Sequence, residues 1–307
     1  MKTEKFKYIG SGGTMLPAVV WLPEGEVKAV LQVAHGMTEH IGRYEQFAEV
    51  MTSCGIAVAG FDLRGHGQNA GDDKVASFGE NGWATVLEDM HLFAGYLHGR
   101  FANAKHFMLG FSLGSFLLRE YLGMFKEHID GAIILGTGNQ PGVVLNVMLG
   151  IVKTQFKENG FDGTTPLVQK LSFDTYNQKF KPNRTSADWL CSDVKELDLY
   201  REDALCREHI SAGLFWQLLS AMKRTGTVDY FKKWNSEVPV LILSGQQDPV
   251  GDFGKGVRQV EKLAKKAGIK QVATYLLPEA RHDVLHEEAS GAAEQAHQII
   301  KTWILEN

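Results

Sequence analysis

The sequence is poor in cysteine and lacks long apolar runs. Its three cysteines (Cys54, Cys191 and Cys206) are scattered among 307 residues and form no C-x-x-C pair. Such cysteines indicate neither a disulfide framework nor a zinc site, and they favour a reducing compartment. No stretch approaches the roughly 18 apolar residues that cross a bilayer, and the first residues lack the apolar segment of a signal peptide. We therefore predict a soluble, cytoplasmic protein.

Positive charge is not in excess either. The formal net charge is −4, whereas nucleic-acid binding relies on clustered lysine and arginine that neutralise phosphates. Nucleic acid is therefore not an expected partner. Hydrophobic residues make up 44% and charged residues 22% of the chain, which is typical of a globular protein with a large core. No pattern indicates an oligomeric state.

Short apolar runs alternate with segments of helical periodicity. This pattern is typical of parallel strands that are buried on both faces and connected by helices. It predicts an α/β fold with a mostly parallel sheet flanked by helices. The predicted strands are 29–34, 56–61, 106–111, 132–136, 239–244 and 271–277, and the predicted helices are 43–54, 83–98, 113–125, 254–267 and 289–305.

The alternation stops between Gly136 and Val238. This stretch has several helix-like pieces and no clear strand, and it is too long for a structureless loop. We predict that residues 1–136 and 238–307 form the core and that residues 137–237 form an inserted, mainly helical cap. Two apolar cap segments, 143–150 and 214–219, either line an acyl tunnel or only pack the cap onto the core.

A serine lies in the pattern G-x-S-x-G at residues 110–114, between the apolar run FML and the apolar segment SFLLREYLGMF. In this strand–turn–helix context the pattern indicates a nucleophile elbow, in which the serine occupies a strained turn between closely packed backbones. Gly110 and Gly114 would allow that approach. The context predicts Ser112 as a catalytic nucleophile.

A serine nucleophile needs a base and a carboxylate that orients the base, and in this fold they follow in the order Ser, acid, His. Asp248 follows the strand 239–244 and His282 follows the strand 271–277. Functional groups of a parallel sheet lie at the carboxyl ends of its strands, so we predict Asp248 and His282 as the partners. Asp252 and His286 are the nearest alternatives.

Acyl transfer also needs an oxyanion hole, which two backbone N–H groups usually form. Leu113, directly after the predicted nucleophile, supplies one. The segment His35-Gly36-Met37, at the end of the first predicted strand, supplies the other through Met37, with Gly36 allowing close approach. The alternative for His35-Gly36 is an ordinary turn.

Two further patterns compete with this interpretation. FDLRGHGQN at 61–69 resembles a phosphate loop, but it does not lead into the apolar helix that a dinucleotide site needs. His282 and His286 have the H-x-x-x-H spacing of a zinc protease, but an aspartate follows the first histidine in place of the glutamate. We therefore predict neither a cofactor nor a metal.

The combination of these motifs resembles the monoglyceride lipase and lysophospholipase branch of the α/β-hydrolases, also described as serine-aminopeptidase-like hydrolases. The matching pieces are HGMTEHIGRY, FDLRGHGQN, GFSLGS, SGQQDPVGDFGKGV, EARHDVLHE and, in the cap, DLYREDALC. The resemblance implies the same triad and oxyanion hole, and it implies that Arg43 and Tyr200 line the glycerol end of the pocket. Phe111 stands where the animal monoglyceride lipases have histidine.

The sequence therefore predicts an esterase of the monoacylglycerol lipase or lysophospholipase type that acts on a small apolar ester. Its predicted substrate-binding residues are His35, Gly36, Arg43, Phe111 and Tyr200. The alternatives are an amidase or aminopeptidase, in which Glu202 and Asp203 would hold the amino group, and a non-catalytic binding protein. Weak contact of the cap with a membrane surface is a further expectation.

Overall fold

A computed structural model describes residues 1–71, 75–126, 129–164, 166–206 and 209–307. Ten strands are found in these ranges, in an eight-stranded and a two-stranded sheet. Their bounds are β1 Lys2–Ile9, β2 Met15–Leu22, β3 Ala29–Ala34, β4 Ile56–Phe61, β5 Val75–Ala76, β6 Lys105–Phe111, β7 Gly131–Leu135, β8 His209–Ile210, β9 Val240–Gly245 and β10 Val272–Leu277.

The α-helices of the described residues are α1 Glu45–Thr52, α2 Gly82–Arg100, α3 Leu113–Met124, α4 Gly142–Asn159, α5 Pro166–Gln169, α6 Thr175–Asn177, α7 Val194–Glu202, α8 Ala212–Thr225, α9 Val228–Phe231, α10 Lys255–Ala267 and α11 Ala292–Glu306. Short 3-10 turns lie at Ser11–Gly13, Ile41–Tyr44, Gly67–Asn69 and Gln178–Phe180, and a π-helical turn lies at Lys170–Asp174.

The large sheet has the strand order β1-β2-β4-β3-β6-β7-β9-β10. The pairings from β4 to β10 are parallel, and those of β2 with β1 and β4 are antiparallel. All six predicted strands are present, and β3 and β4 have the predicted bounds. Continuous apolar runs identified them because most are buried on both faces. The predicted α/β fold with a mostly parallel sheet is confirmed.

The first two strands were not predicted from the sequence. In β1 the aromatic residues Phe6 and Tyr8 are separated by Lys7 and only Ile9 follows, so the strand contains no long apolar run. β2 contains Pro17, which normally argues against a strand. The proline is tolerated because it lies just before Ala18–Trp21, the residues of β2 that pair with β4.

Helices cover both faces of the sheet. On one face, α2, α3 and α10 contribute side chains such as Phe93, Leu117 and Val260 to the larger apolar core. On the other face, α1 and α11 contribute Phe47 and Ile300 to a second core. Burial of both faces keeps the sheet rigid and leaves the ends of its strands as the place where polar side chains can gather.

Helices α4 to α9 lie between β7 and β9 along the chain, within the predicted cap. The expectation of no strand there is wrong at one point, because β8 pairs with β5 of the core. Two residues are too few for a strand pattern to be recognised in the sequence. The division into a core of residues 1–136 and 238–307 and a cap of residues 137–237 stays a prediction. In the described ranges no helix is both long and apolar enough to span a membrane.

Candidate active site

Ser112 lies in the sharp turn between β6 and α3. Its φ of 50° and ψ of −113° fall in a region that non-glycine residues rarely adopt. A Cβ at Gly110 would lie 2.2 Å from the carbonyl oxygen of Gly114, and one at Gly114 would lie 2.0 Å from that of Ala34. Only glycine therefore permits this approach of strand and helix. The Ser112 N–H donates to the carbonyl of Leu135 over 3.0 Å, which fixes the turn at the carboxyl end of the sheet.

Asp248 and His282 meet next to this turn. Nδ1 of His282 lies 2.9 Å from Oδ1 of Asp248, and the two side chains are 1% and 0% exposed. The Val250 N–H donates to Oδ1 of Asp248 over 2.8 Å, and the Ser244 hydroxyl donates to Oδ2 over 3.0 Å. In the described part of the chain neither ring nitrogen of His282 completes an aligned hydrogen bond. Catalytic hydrogen bonds often align only when substrate is bound, and Nε2 is free to exchange a proton.

The alternative acid and base lie in other environments. Asp252 is exposed, and its carbonyl accepts a hydrogen bond from Lys255 at the start of α10. His286 has both ring nitrogens engaged, Nδ1 with Asp283 at 2.9 Å and Nε2 with the carbonyl of Arg43 at 3.1 Å. The segment from His282 to His286 is not helical. The structure thus brings Asp248 to His282, and it does not give the two histidines the helical geometry of a zinc-protease motif.

Two aromatic rings pack against the imidazole of His282. The ring centroid of Phe111 lies 5.0 Å from that of His282, and the centroid of Trp189 lies 5.2 Å away. Trp189 was not singled out from the sequence, because it has no motif around it and lies between β7 and β9, in residues 136–239, which we call the inserted segment. Together the two rings restrict the orientation of the imidazole, which is what a proton-transfer group needs.

Met37 and Leu113 line the same cavity as Ser112. The Leu113 N–H is the first of α3 and therefore has no partner within the helix. His35 and Gly36 do not belong to the cavity wall. The Leu63 N–H donates to Nε2 of His35 over 3.0 Å, so the ring proton of His35 is on Nδ1. This Nδ1–H donates to the carbonyl of Gly36. Burial lowers the pKa of His35 to about 3, and the neutral ring supports the loop that carries Met37.

Arg43 lies in a buried group of charged side chains that we call the Arg43 cluster (Glu39, Arg43, Asp283 and His286). The guanidinium donates to the carboxylate of Glu39 and, over 3.0 Å, to that of Asp283. Glu39 also accepts hydrogen bonds from the Gly36 N–H and the Tyr44 hydroxyl. Sequence analysis singled out only Arg43 and, as an alternative base, His286. The i,i+4 spacing of Glu39 and Arg43 was a signal for the ion pair.

The charges of the Arg43 cluster compensate one another. Burial by itself lowers the pKa of His286, but Asp283 raises it above its ordinary value. Burial raises the pKa of Asp283, but His286 and Arg43 together hold it well below its usual range. Both ring nitrogens of His286 face acceptor oxygens, so the ring carries two N–H groups and lies beside the guanidinium and the carboxyl groups of the cluster. A polar ligand beside Arg43 meets hydrogen-bond donors without a large net charge.

Tyr200 connects this cluster to the inserted segment. Its ring lies under the guanidinium of Arg43, 5.0 Å from centroid to Cζ, and its hydroxyl lies 2.8 Å from Oγ1 of Thr38. Arg43, Tyr200 and Thr38 all line the cavity. They form the polar end of the cavity wall. The role of Arg43 and Tyr200 at the glycerol end stays a prediction.

The loop that carries His282 is bonded to residues 188–193 of the inserted segment. Glu287 accepts hydrogen bonds from the backbone N–H groups of Arg281, over 2.8 Å, and Ser192, over 3.0 Å. The Asp283 N–H donates to the carbonyl of Leu190 over 2.7 Å. The position of the imidazole thus depends on this part of the insertion as well as on the sheet.

The cavity has a volume of about 580 Å³. Its wall contains Ser112 and His282 and is largely apolar away from Arg43. Both apolar segments singled out in the sequence contribute to it, the first through Val144, Leu145 and Met148 and the second through Phe215, Leu218 and Leu219. Other members of the first segment point outward, since Val143 is 75% and Val147 60% exposed.

The glycines of FDLRGHGQN have a packing role. A Cβ at Gly65 would lie 1.8 Å from the carbonyl oxygen of Ser77, and one at Gly67 would lie 2.4 Å from Cγ of Asp62. Arg64 pairs with the buried carboxylate of Asp89 over 2.6 Å. The loop continues into a 3-10 turn, not into a long helix, so it lacks the helix start that binds a dinucleotide phosphate.

Residues 25–289 match the serine aminopeptidase S33 family. The chain belongs to this family of hydrolases. It is 28% identical to human monoglyceride lipase over 301 residues, which cover 96% of this chain and 88% of the relative. It is 25% identical to a monoacylglycerol lipase of Mycolicibacterium smegmatis over 290 residues, covering 91% and 90% of the two chains.

Solved structures agree on the fold of this S33 family member. A thermostable carboxyl esterase from Bacillus coagulans, crystallised with glycerol, superposes with a TM-score of 0.90 and covers 100% of this chain and 99% of its own. At 22% identity the likeness establishes the α/β-hydrolase fold. The family match and the monoglyceride lipase relatives confirm the branch of α/β-hydrolases expected from the sequence.

Proposed function

We propose that the chain is a serine carboxylic-ester hydrolase that works through an acyl-enzyme. The supporting observation is that Ser112, Asp248 and His282 converge at the carboxyl ends of β6, β9 and β10, with a Ser112 turn so tight that neighbouring Cβ atoms would clash with backbone. Such strain is retained where function requires it. The monoglyceride lipase relatives support an ester substrate.

The reaction proceeds in two steps. Nε2 of His282 takes the proton of Ser112 as its Oγ attacks the ester carbonyl, and the N–H groups of Met37 and Leu113 stabilise the oxyanion. His282 then gives this proton to the leaving alcohol. Water attacks the acyl-enzyme in the same way and releases the carboxylic acid. Asp248 holds the imidazole in position and stabilises its charged form.

The best-supported substrate is a monoacylglycerol, with lysophospholipids as the alternative. The apolar wall of the 580 Å³ cavity suits an acyl chain, while Arg43, Thr38 and Tyr200 offer hydrogen bonds to a polyol. Because Glu39 and Asp283 neutralise Arg43, an uncharged head group is favoured over a phosphate. Phe111 in place of histidine removes one polar contact, so we expect broader alcohol specificity than in the animal monoglyceride lipases.

The start of α4 is proposed as a contact surface for lipid. Val143 and Val147 are 75% and 60% exposed and lie one helical turn apart, next to the cavity-lining residues Val144 and Met148. An exposed apolar helix face beside the cavity is suited to shallow insertion into a lipid surface. A V143S/V147S variant should bind zwitterionic phosphatidylcholine vesicles less than wild type while hydrolysing a dissolved short-chain ester equally fast.

An aminopeptidase or amidase with the same triad is the second candidate, and the S33 family description favours it. Its amino-group site would need Glu202 and Asp203. One carboxylate oxygen of Asp203 is bonded to His40 over 2.7 Å, and neither residue lines the cavity. Faster turnover of proline β-naphthylamide than of any ester would support this candidate over the esterase.

Activity and labelling together test the proposal. Wild type should hydrolyse p-nitrophenyl esters, with a preference for acyl chains longer than acetyl, and should react with a fluorophosphonate probe. Ser112→Ala should lose both properties, whereas the exposed Ser53 provides a matched control, Ser53→Ala, that keeps them. Full esterase activity in Ser112→Ala would refute the nucleophile. Absence of labelling in the folded wild type would favour a non-catalytic binding protein.

A further inference from the structure

Three side chains of the types that ligate metal ions lie together beside the cavity, apart from the proposed triad. They are His40, Asp203 and Cys206, and their ligand atoms all lie within 4.8 Å of one another. His40 belongs to the loop after β3, and the other two follow α7 in the inserted segment. The group therefore joins the core loop that carries Met37 to the inserted segment that carries Tyr200.

Hydrogen bonds already orient two of the three ligands. The Gly42 N–H donates to Nδ1 of His40 over 3.2 Å, so the ring proton is on Nε2, which donates to Oδ2 of Asp203 over 2.7 Å. The other carboxylate oxygen accepts the Leu205 N–H over 2.8 Å. This leaves Nε2 of His40 and Oδ2 of Asp203 directed at each other, with a single proton between them.

A backbone turn brings the cysteine to the same place. The Cys206 N–H donates to the carbonyl of Asp203 over 3.0 Å, which closes a short D-x-x-C turn at the end of α7. Cys206 also lines the cavity. One imidazole, one carboxylate and one thiol are the three ligand types of open tetrahedral zinc sites, whose fourth position holds water.

We propose that His40, Asp203 and Cys206 form a binding site for a thiophilic divalent cation of the Zn²⁺ type. The ring proton of His40 moves from Nε2 to Nδ1, which gives up its 3.2 Å contact with the Gly42 N–H, and the ion takes its place between Nε2 and Oδ2 of Asp203. The Cys206 thiol loses its proton and binds the ion as thiolate, so one proton is released per ion. For bonds of about 2.0 Å, tetrahedral ligands lie about 3.3 Å apart. The 2.7 Å separation of Nε2 and Oδ2 must therefore widen by about 0.6 Å.

An ion at this site would lie behind the cavity wall and would contact it through Cys206, which lines the cavity together with Tyr200 and Arg43. It would also tie the end of α7 to the loop that carries Met37. We therefore expect Zn²⁺ to slow substrate entry and to act as a reversible inhibitor. This consequence rests on the proposed ester hydrolysis, whereas binding of the ion itself does not.

Cobalt titration tests the site independently of catalysis, because a Co²⁺–thiolate bond gives a charge-transfer absorption band. Wild type should bind one Co²⁺ per chain with this band, and Zn²⁺ should displace it. Cys206→Ser should lose the band, and Asp203→Asn should bind at least about 10- to 100-fold more weakly, because that is the loss when only a group supporting a ligand is removed. Cys54→Ser, which alters another partly exposed cysteine, should match wild type.

Alkylation of the unmodified protein provides a second measurement that needs no variant. Zn²⁺ should slow the reaction of iodoacetamide with Cys206 and leave that of Cys54 unchanged, as read by peptide mass spectrometry. A charge-transfer band that persists in Cys206→Ser, or equal protection of both cysteines, would overturn the proposal. If cobalt binds as expected but no ester is hydrolysed, the metal site stands and the proposed function fails.

Discussion

Replacing Asp248 by asparagine removes the negative charge of the proposed triad and keeps the shape of the side chain. Oδ1 of Asp248 accepts the Val250 N–H, so the amide oxygen of the variant must take this position. The amide NH₂ then faces Ser244, whose hydroxyl can turn from donor to acceptor. His282 still has an oxygen acceptor 2.9 Å from Nδ1. The variant should therefore fold like wild type and lose only the negative charge.

The expected loss of activity follows from the distance between the charges of Asp248 and His282. Two unit charges 2.9 Å apart interact by about 6 kcal/mol at an effective dielectric constant of about 20. Because both charges are spread over two atoms, we expect about 4 to 5 kcal/mol less stabilisation of the imidazolium that forms in the transition state. This corresponds to a decrease in kcat of about 10³- to 10⁴-fold.

The assay is steady-state hydrolysis of p-nitrophenyl butyrate, with thermal unfolding as the check on folding. Asp252→Asn is the matched control, since Asp252 is exposed and is the alternative acid. It should keep kcat within about twofold, because surface substitutions rarely affect distant groups. The reasoning is refuted if Asp248→Asn keeps a third of the activity, or if Asp252→Asn loses as much as Asp248→Asn.

Three further predictions concern stability, measured by urea unfolding. Gly114→Ala places a Cβ 2.0 Å from a backbone carbonyl oxygen and should lower the free energy of unfolding by about 3 kcal/mol or more, with loss of activity. The control Gly95→Ala, which has open space around it in α2, should be neutral or stabilising. Equal effects of the two substitutions would contradict the steric argument. Arg43→Met leaves two buried carboxylates without their guanidinium and should cost about 3 kcal/mol. Lys232→Met removes an exposed ion pair and should leave the free energy of unfolding unchanged within error. Burial lowers the pKa of His297 from 6.5 to about 4, so the folded state disfavours protonation and the free energy of unfolding falls as the pH drops below 6.5. Between pH 7.5 and 5 wild type should lose about 2 kcal/mol more than His297→Gln. Parallel pH profiles of the two proteins would show that this histidine is not responsible.

Much of the fold could be predicted because its strands are buried on both faces. Such strands leave continuous apolar runs in the sequence, as β3 and β4 show. β1 left no such signal, since its two aromatic residues alternate with lysine. β8 was missed because two residues that pair across the chain carry no periodicity.

Some residues of the candidate site could likewise be predicted from local sequence, and others could not. Ser112, Asp248 and His282 were identified because each follows an apolar strand, and the position of a strand end can be read from local sequence. Trp189 and the group of His40, Asp203 and Cys206 could not be found like this. His40 and Asp203 are 163 positions apart, and only tertiary packing brings them together.

The bonding of residues 188–193 to the His282 loop has a consequence for how this enzyme scaffold can change. Glu287 and the backbone of Asp283 connect the imidazole to the inserted segment at Ser192 and Leu190. Cavity-lining residues of α4 such as Val144 and Met148 can therefore be changed for a new acyl group without touching this junction, whereas changes at residues 188–193 would also move the imidazole. The segment between β7 and β9 thus has two separable parts, one that faces the cavity and one that positions the proposed catalytic base.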